Sequence, residues 1–167
     1  INNTTNITNN YNININPFGL EYVDDITTRE ILNIFKNSQH IPLNLFKRIY
    51  KNIDNMSFYK PNIKNKTISV LTDKFTIENI PEFLFQDNFK RNIFDLSIYI
   101  FYKNKNNLSV NELKRCMYNL LKYLDNFSNG SIKKDRDVIN TILDSVFRDN
   151  RVRNNIGILM KILQTDA

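Results

Sequence analysis

Glycine is scarce in this chain, at 3 residues in 167, and proline hardly commoner, at 4. Sandwiches and barrels need many such residues at their turns, so the composition argues against them. Long helices joined by polar turns need few. Tryptophan is absent, and the aromatic content of 12% is carried by Phe and Tyr. The single cysteine, Cys116, allows no internal disulfide and no multi-cysteine metal site. It lies among apolar residues at helical spacing, as a buried structural thiol does, and its solitude points to an intracellular setting. The single histidine, His40, has no second imidazole with which to share a metal. Gly19, Gly130 and Gly157 stand apart, so no glycine-rich phosphate loop is present. No apolar run approaches the roughly 20 residues of a membrane span. Asp24 and Asp25 precede Thr27, where negative charge favours a helix N-terminus, so they need no acid–base role. The expectation is a protein that is not an enzyme and uses no cofactor.

Asn, Lys and Ile are heavily over-used instead, the mark of an A/T-rich genome. Asn2, Asn3, Asn6, Asn55, Asn65, Asn107, Asn126 and Asn129 each open an N-x-S/T triplet, which such a composition produces without any bearing on secretion. The net charge of +6 and pI near 9.4 suit an acidic partner, or reflect only the drift toward Lys. The chain begins at Ile1 rather than Met, so a processed or excised piece is expected.

Hydrophobic residues make up 41% of the chain, enough for one ordinary domain. Residues 1–17 are Asn/Thr/Ile-rich without helical period and read as a disordered arm, whose Ile7, Tyr11, Ile13 and Ile15 allow part of it to lie on a groove. Residues 18–167 read as a single all-helical domain, making the fold class all-α. Helices are expected from about Thr27 to Lys36 and from about Pro42 to Asp54. Thr67 to Leu71 can be briefly extended, because Ile68 and Val70 alternate with Thr67 and Ser69. A helical turn is expected from Thr76, ending before Pro81. An apolar helix follows through Phe83 to Phe101, with a possible break at Asp87, and residues 102–107 form a polar turn. The best-defined helix runs from Ser109 to Leu124. Two more are expected, from Lys134 to Arg148 and from Asn155 onward, separated from the former by an Asn129-Gly130 turn.

One short pattern recurs: apolar, Ser or Thr, two variable residues, an acid or amide, apolar. It occurs at Ile26 to Ile31, Phe75 to Ile80 and Leu108 to Leu113. It fits any capped helix with a hydrophobic staple. It also fits an α-solenoid, since the last two starts lie 33 residues apart. In a third reading, Leu108, Ser109, Glu112 and Leu113 hold the eighth, ninth, twelfth and thirteenth places of an EF-hand loop. The segments FKRNIFDLSIYIFYKNKNNLSVNELKRCMYNLLKYL, KFTIENIPEF and ILNIFKNSQHIPLNLFKRIYKNID together resemble the calcineurin-B and calaxin-like branch of the EF-hand superfamily. The resemblance implies helix–loop–helix pairs over residues 27–163, with loops at Phe101 to Glu112 and Asp149 to Met160. Lys103 and Lys105 in the first, and Arg151 and Arg153 in the second, stand where calcium ligands belong. An ammonium about 4 Å from a divalent ion is repelled by several kcal/mol, so the loops are expected to be degenerate and metal-free.

The function implied is a non-catalytic protein-interaction module, similar to a calcium sensor that has lost its ligands, seating a partner helix or peptide in an apolar groove. Phe83, Phe85, Phe89, Phe94, Phe101 and Met117 are the candidate groove walls, with core packing as the competing assignment. The alternative is an α-helical repeat that binds RNA through Lys133, Lys134, Arg136, Arg148, Arg151 and Arg153, with Tyr99, Tyr102, Tyr118 and Tyr123 stacking bases. A solvated basic face is the plainer account of those cations.

Overall fold

A computed structural model describes residues 5–7, 13–60, 64 and 66–129. Strands β1 (Thr5–Ile7) and β2 (Ile13–Ile15) pair antiparallel near the N-terminus. Helices α1 (Thr28–Ile34) and α2 (Ile41–Ile49) come next. They are followed by β3 (Phe58–Tyr59), β4 (Thr67–Leu71) and β5 (Ile77–Pro81), an antiparallel sheet in the order β3-β4-β5. Two long helices close the described chain, α3 (Glu82–Asn104) and α4 (Val110–Asn129).

The all-α expectation is therefore corrected: the described residues form a mixed fold, four α-helices with a three-stranded antiparallel sheet and the β1–β2 pair. Among the described residues neither stacked helical pairs nor EF-hand-like helix–loop–helix pairs describe it, and the expected second loop, Asp149 to Met160, lies outside them. Thr76 is followed by a strand, not a helical turn. The β4–β5 ladder pairs Ile68 with Ile80 and Val70 with Glu78. It is closed at its ends by Thr72 N–H donating to Thr76 O at 2.9 Å and Glu82 N–H donating to Lys66 O at 2.8 Å. The connection is a three-residue hairpin loop in which Phe75 takes a left-handed φ of 58°. That position ordinarily belongs to Gly or Asn, so a Phe there hid the hairpin from a composition-based reading.

The EF-hand frame fails at its first residue. Phe101 lies inside α3, 8% exposed, with its ring 5.9 Å from that of Phe35. The turn between α3 and α4 is short, a 3-10 turn over Lys105–Asn107 followed by extended Leu108. Leu108 is no strand pairing point; it packs on the core. The arm expected to be disordered supplies β1 and β2, and Ile15 is 4% exposed beside Met56, Leu71 and Ile77.

Two of the three recurring start signals are true helix caps. Thr27 Oγ1 accepts from Glu30 N–H at 3.3 Å, and Glu30 Oε2 accepts from Thr27 N–H at 2.8 Å. Ser109 and Glu112 repeat the exchange at the start of α4, at 3.2 and 2.9 Å. Each box satisfies two donors that the first turn otherwise leaves unpaired.

The core gathers where α2, α3 and the sheet meet. Phe18, Phe46, Tyr50, Phe58, Phe85 and Phe89 form one aromatic cluster, with ring centroids as close as 4.9 Å between Phe58 and Phe85. Such pairs add about 0.5–1.5 kcal/mol each beyond their buried area. Residues 16–22 are fastened over this core by Asn55, which is fully buried. Its Oδ1 accepts from Asn16 Nδ2 and Tyr22 N–H, and its Nδ2 donates to Tyr22 O and Ile49 O, all at 2.8–2.9 Å. The expected helices from Lys134 and Asn155, with the Asn129-Gly130 turn between α4 and the first of them, extend outside the described residues.

Candidate functional site

Helix α4 is seated by Cys116, Leu120 and Tyr123, all buried. Asn119 fastens its flank, donating from Nδ2 to Phe35 O at 2.8 Å and Lys36 O at 3.1 Å. Yet its apolar residues cover a wider arc than its buried ones. Val110, Leu113, Met117, Leu121 and Leu124 recur at spacings of three and four and so share one row along the helix. Leu113 and Leu124 are half-buried, while Val110, Met117 and Leu121 are 67%, 43% and 58% exposed. Exposed Lys114, Arg115 and Lys122 lie on the same helix. The outcome is a greasy row, with Lys114 and Asp125 beside it, on a helix fastened from its other side.

The six expected groove residues do not come together. Phe85 and Phe89 are 0% and 2% exposed at the centre of the aromatic cluster, and Phe101 is buried against Phe35. These three are core, because α3 buries one face against both the sheet and α2. Phe94 is half-buried, its ring 6.5 Å from Tyr123. Phe83, 66% exposed, and Met117 reach solvent, on α3 and α4 respectively. Of the four tyrosines expected to stack bases, Tyr123 is buried, whereas Tyr99, Tyr102 and Tyr118 are exposed. The ammonium of Lys105 lies 4.2 Å from the Tyr102 ring centroid and that of Lys103 lies 5.6 Å from the Tyr99 ring, so one face of each ring already meets a cation. Lys133, Lys134, Arg136, Arg148, Arg151 and Arg153 lie outside the described residues.

Among the described residues, groups with catalytic potential lie apart from one another. No cluster of three or more His, Cys, Asp or Glu suited to a metal occurs among the described residues. His40 is exposed at the start of α2 and makes no side-chain cap there. Cys116 is 1% exposed, and burial pushes its thiol up, away from the reactive thiolate. Glu30 and Glu112 are held below the ordinary carboxylate value, chiefly by the backbone N–H groups of Thr27 and Ser109. An apolar cleft lined by Ile15, Met56, Ser57 and Leu71 is too tight for a water-sized molecule. No described helix is long and apolar enough to cross a membrane.

The sequence reading passed over a buried polar joint. Glu21, Tyr50 and Asn92 meet inside the fold, with Tyr50 Oη and Asn92 Nδ2 donating to Glu21 Oε1 at 2.9 and 2.8 Å. The available signal was a carboxylate set in the apolar stretch Leu20-Glu21-Tyr22-Val23, where a charge needs a reason. Comparison with known proteins adds no relative: no family model, curated protein or solved structure matches the chain.

Proposed function

We propose that this chain is a non-catalytic protein-binding module in which α4 offers its apolar row to an amphipathic helix or peptide of a partner. The observation that carries this reading is the excess of apolar arc over buried arc on α4, with Val110, Met117 and Leu121 exposed at helical spacing. Isolated exposed apolar residues are ordinary; three in register on a rigid helix form a linear patch that costs solubility unless covered. A partner helix reads such a row through its own residues at spacings of three and four. Met117 adds an unbranched side chain that adapts to differing partners.

The test is photo-crosslinking from a benzophenone amino acid placed at position 121 in the full chain, with the linked peptides sequenced. Links to an amphipathic segment of a different protein, abolished by Met117→Lys, support the reading. Links confined to residues 130–167 of the same chain would show the row to be an internal surface and end it. Single-stranded RNA binding that weakens steeply with salt and ignores Met117→Lys would put nucleic-acid binding in its place.

A further inference from the structure

Glu21 is 7% exposed, and its two carboxyl oxygens have opposite surroundings. Three donors converge on Oε1: Gly19 N–H at 3.2 Å, Tyr50 Oη at 2.9 Å and Asn92 Nδ2 at 2.8 Å. Oε2 is buried and has no hydrogen-bond partner among the described residues. Ion pairs among the described residues involve other carboxylates. Arg48 pairs with Glu30 at 2.8 Å and Asp25 at 3.4 Å, Lys60 with Glu82 at 3.1 Å, and Lys103 with Asp24. No cation is among the largest influences on Glu21.

An ionised carboxylate in this place would be a buried charge without a counter-ion, with half of its charge on an oxygen that receives no donor. The neutral acid leaves only one hydroxyl unpaired, a far smaller penalty. It still accepts all three hydrogen bonds on Oε1, which then is the carbonyl oxygen. Of the groups packed against it, α2 supplies Tyr50, whose phenol is driven well above its ordinary value by burial and by Glu21. Helix α3 supplies Asn92, which does not titrate, and the segment itself supplies the backbone amides of Glu21 and Gly19; these hydrogen bonds lower the carboxyl but are outweighed by burial. Asp24, in the same segment, is exposed and bonded to Lys103.

We propose that Glu21 is a pH-sensing joint: it enters the fold as the neutral acid with its proton on Oε2, and its ionisation withdraws stability from the union of residues 19–22 with α2 and α3. Burial, the largest influence, raises this carboxyl from its ordinary value of 4.5. A carboxyl raised on folding binds more protons in the folded than in the unfolded chain. Its contribution is therefore full below 4.5 and is lost as pH rises through the folded value. The glutamates of the two caps have the reverse sign.

The experiment follows the Glu21 Cδ resonance of the full chain against pH by 13C NMR, assigned by its loss in Glu21→Gln. A midpoint above the ordinary value supports the proposal; one at or below it overturns it. Thermal melts of the two proteins between pH 4 and 8 give a second reading. The Glu21→Gln protein should gain on the wild type as pH rises, by on the order of 4 °C per kcal/mol across that range. Melting curves that stay parallel would show that folding does not raise this carboxyl, and would overturn the proposal.

Discussion

The two long helices handle their apolar residues in opposite ways. Helix α3 is wedged between α2 and the sheet, and Phe85, Phe89, Ile93, Leu96 and Ile100 are all buried. Helix α4 touches the rest of the described fold along a narrower strip, Cys116, Leu120 and Tyr123, and leaves Val110, Met117 and Leu121 in solvent. The same kind of side chain is thus structural on one helix and available on the other. What differs is the number of neighbours around each helix, which no property of either helix alone sets.

The largest effect expected from this comparison lies in the aromatic cluster. Phe89→Ala should cost about 4 kcal/mol of unfolding free energy in denaturant titration, whereas Phe83→Ala on the same helix should change it by less than about 0.5 kcal/mol. Equal losses would break the division of α3 into a buried and a free face. Next comes the clasp. Asn55→Ala removes four hydrogen bonds at a fully buried site and leaves Asn16 and the Tyr22 backbone unpaired. A loss of about 3 kcal/mol is expected, measured the same way.

Smaller effects sharpen the local picture. Thr27→Ala should cost about 1 kcal/mol. With Glu30 held below its ordinary value, the stability this cap supplies is present above that value and is lost as pH falls through the folded one. Because Glu30 accepts from the Thr27 backbone N–H, which alanine keeps, it is the difference between Glu30→Gln and wild type in urea that should narrow in acid; a constant gap would separate the cap from the Glu30 charge. Phe75→Gly should raise stability by about 1 kcal/mol, because the left-handed conformation strains a bulky residue and not a glycine. The least effect belongs to α4: Met117→Lys should leave the melting temperature unchanged within about 2 °C, as expected of an exposed position. A large drop there would show the row to be core and would remove the contrast with α3.

The legibility of the fold follows the range of the interactions involved. The boxes at Thr27 and Ser109 were readable because their partners stand three residues away and the chemistry is complete within one turn. The extended nature of Thr67 to Leu71 was readable from β-branched alternation. Its partner β5 was not, since Ile77-Glu78-Asn79-Ile80 reads equally well as a helical turn until strand β4 is beside it. The α3 boundary was misplaced for a related reason: Tyr102, Lys103 and Asn104 are polar enough for a turn, but stay helical where Ile100 and Phe101 anchor the backbone to the core. As for the candidate site, sequence singled out Met117 and missed Val110 and Leu121, because the apolar arc of α4 shows which residues are able to be buried and not which are.

The order of residues by itself determined the helical periods and the two caps, since each rests on spacing along one element. Only the tertiary structure decided that three short strands form a sheet, that Phe85, Phe89 and Phe101 belong to the core, and that Glu21 is enclosed with no cation paired to it among the described residues. Those outcomes depend on which surfaces meet. Apolar burial is non-directional, so many pairings satisfy the same pattern until side-chain shape and hydrogen-bond satisfaction select one.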